Sequence, residues 1–118
     1  MLAEAEGVSK IILVCGRTDL RRGIDGLSRI VGAKYKLNPF EKNVLFLFCG
    51  CRADRIKGLL WEGDGFLLLY KRLEDGSFSW PKSSDEAKAI TKEQYSMLMM
   101  GLNPIEPKIK QVNPRKIF

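Results

Sequence analysis

The sequence has 118 residues and a mass of 13.4 kDa, the size of one typical domain, and 45% hydrophobic residues are enough for a genuine core. Twenty Lys and Arg against 14 Asp and Glu leave +6 at pH 7 and a pI near 9.4, which favours polyanionic partners. There is no histidine, so the commonest general base, the usual activator of a nucleophile and the most frequent zinc ligand are all missing, which argues against most hydrolase designs.

The first seven residues carry Glu4 and Glu6 where a secretory signal would be basic. They read as a flexible N-terminus, 1–7. No apolar run approaches the roughly 20 residues of a membrane span, and the three cysteines, Cys15, Cys49 and Cys51, are an odd set beside apolar segments. Reduced thiols and a cytoplasmic location without membrane contact are therefore expected.

Residues 10–15 (KIILVC) are continuously apolar and β-branched, the mark of a strand covered on both faces. Gly16 ends it. Thr18 or Asp19 is placed to cap a helix in which Leu20, Ile24, Leu27 and Val31 recur at helical spacing and face the sheet. The alternative is a loop first and a helix that begins later. On the same wheel Arg21, Arg22 and Arg29 fall roughly opposite the apolar stripe. Gly23 and Gly26 each cost a helix interior about 1 kcal/mol relative to Ala, for which close backbone packing would compensate.

Asn38-Pro39 is a break, and residues 44–49 (VLFLFC) form a second buried strand. A turn follows at 50–54. Further strands are expected at 59–61, 66–73 and 78–80, separated by the turn signals Glu62-Gly-Asp-Gly65 and Asp75-Gly76. Between Val44 and Trp80 no connection is long enough for a parallel crossover. The fold class is accordingly α+β: an antiparallel meander of four to five strands packed by one main helix after the first strand. Residues 81–89 read as a polar loop, and Thr91 with Gln94 forms a capping box for a short C-terminal helix that stops at Gly101. One domain, 8–103, is expected, followed by a basic, disordered tail, 104–118, with net +3 from Ile105 onward.

No catalytic set, cofactor or metal site emerges. Cys49-Gly-Cys51 lacks a second ligand pair. Asp19, Asp25, Asp54, Glu62 and Asp64 could in principle hold magnesium for a nuclease, but local pairing explains them better. Asp25 stands four residues from Arg21 and Arg29, Asp54 lies beside Arg52 and Arg55, and Glu62 and Asp64 serve a turn. The glycines match no phosphate-binding pattern. What remains is cationic: Arg17, Arg21, Arg22 and Arg29 around the helix, Arg52, Arg55 and Lys57 at the turn, and Lys71 with Arg72. Beside aromatics such as Trp61, Tyr70 and Trp80, these suit phosphate contact and base stacking.

Five ordered motifs carry a resemblance. Cys15-Gly-Arg-Thr-Asp-Leu-Arg-Arg-Gly-Ile-Asp-Gly-Leu27, Arg55-Ile-Lys57, Trp61-Glu-Gly-Asp-Gly-Phe66, Leu69-Tyr-Lys-Arg-Leu73 and Phe78-Ser-Trp-Pro81 resemble the TnpB accessory family of IS66-type bacterial insertion sequences. The resemblance runs over 8–102, including Thr91-x-x-Gln94 and Gly101-Leu102. It implies a non-catalytic accessory protein of transposition, encoded beside a separate transposase that cuts and joins the strands. The family shares only its name with the RNA-guided nucleases also called TnpB. The implied partners are the ends of the element's DNA, the transposase, or both. A pure protein-interaction module is the first alternative and a metal-dependent nuclease the second. The sequence departs from its relatives at Cys49-Gly-Cys51, where they are richer in Arg or Asn, so this turn carries less positive charge.

Overall fold

The computed structural model describes residues 7–81, 86–102 and 104. The two continuously apolar runs become the centre of a five-stranded sheet, β1 (Lys10–Val14) and β2 (Val44–Cys49). Their lack of alternation has a direct cause, because both faces of the sheet are covered. Ile11, Leu13, Leu45, Leu47 and Cys49 point into one core, and Ile12, Val14, Val44, Phe46 and Phe48 into the other. β3 (Arg55–Trp61) and β4 (Phe66–Arg72) form an antiparallel hairpin closed by Glu62 N–H donating to the Gly65 carbonyl at 2.9 Å. β5 (Ala87–Ile90) lies antiparallel to β1, giving the order β4-β3-β2-β1-β5.

The α+β class holds, but the meander is corrected at β1 and β2, which pair in parallel from Lys10↔Val44 to Leu13↔Leu47. The rule that short connections force antiparallel neighbours does hold from β2 to β4. It does not apply between β1 and β2, where the chain is long enough for a helical crossover. Two further expectations change. Residues 78–80 are not a strand: Phe78 N–H donates to the Ala53 carbonyl at 2.6 Å, and the buried Trp80 donates its indole Nε1–H to the Val14 carbonyl at 3.1 Å. This apolar run packs against the sheet instead of joining it. The fifth strand comes from residues read as loop, since Ala-Lys-Ala-Ile has almost no strand-forming signal of its own.

The crossover helix α1 (Ile24–Arg29) continues into a π-helical turn, Ile30–Lys34, and buries Leu27 and Val31 on one face of the sheet. It starts later than a cap at Thr18 or Asp19 would place it. Asp19 makes a turn instead, its Oδ1 accepting from Arg21 N–H at 3.0 Å while its carbonyl accepts from Arg22 N–H at 3.1 Å. Close packing compensates only one of the two glycines. A Cβ at Gly26 would lie 2.9 Å from the Arg22 Cβ, whereas one at Gly23 would meet nothing within 4 Å.

The other face is covered by α2 (Lys92–Met99), through Tyr95 and Leu98, together with Phe78 and Trp80. The capping box forms as expected: Thr91 Oγ1 accepts from Gln94 N–H at 3.0 Å and Gln94 Oε1 accepts from Thr91 N–H at 2.7 Å. At the far end Gly101 takes φ +86°, with Gly101 N–H donating to Leu98 and Leu102 N–H to Met97. That is the paired-bond stop that favours glycine. Thr91→Ala should cost about 1 kcal/mol, read as a lower urea midpoint at unchanged slope. The N-terminal segment and the tail lie outside the described residues except for Gly7 and Pro104, whose carbonyl accepts from Gln94 Nε2 at 3.1 Å.

Candidate functional site

Parallel pairing has a geometric consequence for the arginines. The loop after β1, residues 15–23, and the loop after β2, residues 50–54, leave the same end of the sheet side by side. In a meander they would leave opposite ends. Thr18 N–H ties the loops together by donating to the Cys49 carbonyl at 2.8 Å. Gly50 allows the approach, since a Cβ there would stand 3.2 Å from Leu20 Cγ.

Between them opens a cleft of about 870 Å³, outside the carboxyl ends of the parallel strands, where open sheets commonly bind ligands. Arg17 and Arg21 enter it from the first loop, Arg52 from the second, and Arg55 and Lys57 from β3. Leu20, Gly50 and Leu68 supply an apolar surface, and Tyr70 of β4 stands among the cations. Period-two alternation explains the last group: Arg55, Lys57, Leu68 and Tyr70 all lie on the α1 face of the hairpin, with Lys57 directly opposite Tyr70.

Among the described residues Asp19 is the one carboxylate that lines the cleft. Arg21 grips it with Nε on Oδ1 and Nη2 on Oδ2, both at 2.9 Å. These bonds, with the Arg21 backbone N–H, hold the Asp19 carboxyl down to about 2. Asp19 therefore stays ionised throughout the physiological range. Beside the cleft Asp54 accepts from Arg55 Nε at 3.1 Å, which lowers the Asp54 carboxyl and raises the Arg55 guanidinium. Lys57 Nζ donates to the Arg22 carbonyl at 3.0 Å, bracing β3 against the first loop. Among the described residues neither Arg17 nor Arg52 is held in an ion pair, so both charges are available to a ligand.

Five of the nine expected contact residues thus meet in one place. Arg22 stands next to them, lining a smaller recess of about 220 Å³ with Arg17 and Lys34. The other three do not converge. Arg29 is exposed on α1, Lys71 belongs to the opposite face of β4, and Arg72 pairs with Glu74 at 3.3 Å. Among the described residues Tyr70 is the one aromatic that lines the cleft. Trp80 is core, and Trp61 packs with Phe40 and Phe66 at the hairpin's far end, ring centroids 4.9–5.1 Å away. Leu20, Gly50 and Leu68 also line the cleft, and nothing in the sequence marks them, because apolar residue types at a cleft are indistinguishable from core residues.

The carboxylates do not assemble. Arg21 pairs with Asp19 rather than with Asp25, while Glu62 and Asp64 lie at the opposite end of β3 from Asp54. Among the described residues no group of three or more His, Cys, Asp or Glu is placed to hold a metal ion. Cys15 and Cys49 are buried and Cys51 is exposed at the cleft. No helix among the described residues is long and apolar enough to cross a membrane.

A family model described as "IS66 Orf2 like protein" matches residues 9–109. The chain belongs to the IS66 Orf2-like family. The match takes in all five strands and both helices, hence both loops that build the cleft, and it associates the chain with transposition of IS66-type insertion sequences. Two similar proteins of Sinorhizobium fredii (strain NBRC 101917 / NGR234), the uncharacterized proteins y4jC and y4hO, are 33% and 36% identical. The first alignment covers 99% of both chains, the second 87% of this chain and 88% of the relative. No solved structure matches this IS66 Orf2-like chain.

Proposed function

We propose that the chain is a non-catalytic accessory protein of transposition that grips the phosphate backbone of the element's DNA in the basic cleft. Cutting and joining are left to the separately encoded transposase. The observation that carries this reading is convergence: five cations from three chain segments line one cleft with a single carboxylate, itself neutralised by Arg21. Phosphate contacts from such a set are sequence-independent and displace condensed counterions, so binding should weaken steeply with salt. With Arg21 held by Asp19 and Arg55 by Asp54, titration of an element-end oligonucleotide should give a log–log salt slope of about −3 to −4, as about three or four contacts require. Absence of binding even at low salt would remove the reading.

One observation favours a second reading, a docking module for the transposase. Among the described residues β4 is an edge strand with β3 alone beside it, leaving backbone groups open to an added strand. A complex with transposase that survives nuclease digestion would support that role. One that falls apart would make DNA the bridge.

A further inference from the structure

Resting on the phosphate-grip reading, the geometry points to unpaired nucleotides as the cleft's ligand, with a base stacked on Tyr70 and the flanking phosphates on the surrounding cations. A site made for duplex DNA needs only a polar, cationic surface, because the faces of paired bases are hidden in the stack and the backbone and groove edges are what the protein meets. This cleft is built otherwise. Leu20, Leu68 and Gly50 give it an apolar lining, and Tyr70 stands among the cations with 53% of its surface exposed. Phosphates gain nothing from such a lining, whereas the faces of bases do, whatever their identity.

The ring is also held in place. Lys57 Nζ lies 5.8 Å from its centroid and is itself fixed by the bond to the Arg22 carbonyl, while Lys57 and Tyr70 are directly paired across the β3–β4 ladder. A platform already ordered before binding loses little entropy when a base settles on it. Among the described residues the other large exposed apolar side chains are Phe40, Met100 and Leu102, and none of them lines the cationic cleft. Tyr70 is the one that combines exposure with charge.

The test uses the full chain and three probes of equal length at one low salt concentration: a single-stranded oligothymidylate, an abasic oligomer with the same phosphates, and a duplex. Because a duplex has the higher charge density, a pure phosphate grip would rank it first. The expected order is the reverse, with the single strand bound about tenfold or more tightly than either other probe. Tyr70→Ala should lower single-strand affinity about tenfold without changing the salt slope or the binding of abasic and duplex probes, and Tyr70→Phe should retain the wild-type order. Equal or stronger binding of duplex, or a Tyr70→Ala variant that behaves as wild type, overturns the inference and leaves the phosphate grip standing. Failure of all three probes to bind overturns both.

Discussion

Exchanging Arg17 and Arg52 for glutamate together lowers nucleic-acid affinity by on the order of 100-fold at low salt and flattens the log–log salt slope by about two. The two residues come from different loops, each is exposed, and among the described residues neither is in an ion pair. The cleft is lined by five cations and one carboxylate, so the exchange takes its lining from net +4 to zero. Neither side chain supports the fold, so circular dichroism and the urea midpoint should stay close to wild type. The control is Arg29→Glu with Lys71→Glu, which changes the net charge of the chain by the same amount at two places outside the cleft. If that pair weakened binding as much as the first, affinity would follow total charge and the cleft would have no special standing. Titration against an oligonucleotide by fluorescence anisotropy resolves the two outcomes. Binding should also be flat between about pH 5 and about pH 7, because the chain has no histidine and Asp19 titrates near 2.

Trp80→Ala should cost about 3–5 kcal/mol, much of the roughly 5–15 kcal/mol that holds a domain folded. Trp80 is 4% exposed and packs in the cluster that joins Phe78, Ile90, Tyr95 and Leu98 to the α2 face of the sheet. Its truncation leaves a cavity there and removes the indole N–H from the Val14 carbonyl. Val14 ends β1, immediately before the loop that carries Arg17 and Arg21, so the loss reaches the cleft through the strand that positions it. Trp80→Phe separates the contributions. It keeps most of the buried area and gives up the hydrogen bond, for about 1–2 kcal/mol. Urea denaturation followed by circular dichroism measures both, and a Trp80→Ala midpoint near wild type would show that residues 78–80 do not anchor the sheet.

What was legible in the sequence was what local chemistry dictates. Unbroken apolar runs at 10–15 and 44–49 meant strands covered on both faces, and Leu13 and Leu47 are fully buried between two packed layers. Thr91 with Gln94 meant a capping box, and Gly101 meant a stop. Strand direction was a different matter. The composition of β1 and β2 is the same whichever way they pair, and only the length of the connection permits a parallel arrangement. That direction decides the site. Arg17 and Arg52 are recognisable as cations in isolation, but their meeting depends on two loops leaving one end of the sheet. Alternation along β4 then sorts Tyr70 into the cleft and Lys71 out of it, a division that needs the register and cannot be read from Leu69-Tyr-Lys-Arg alone. Asp19 could serve a helix cap or a turn, and the Arg21 guanidinium, out of register with any helix, settles it as a turn. The nine basic residues singled out on charge therefore divide by topology rather than by residue type.

The convergence of the two loops on one polyanion site is tested most directly by backbone amide shifts in a labelled sample of the full chain titrated with a single-stranded oligonucleotide. Residues 17–22, 50–57 and 68–70 should move together along one saturation curve, with the outer face of α1 around Arg29 and the α2 face of β4 at Lys71 unmoved. Shifts confined to a single loop, separate curves for the two loops, or the largest changes around Arg29 would contradict a shared cleft.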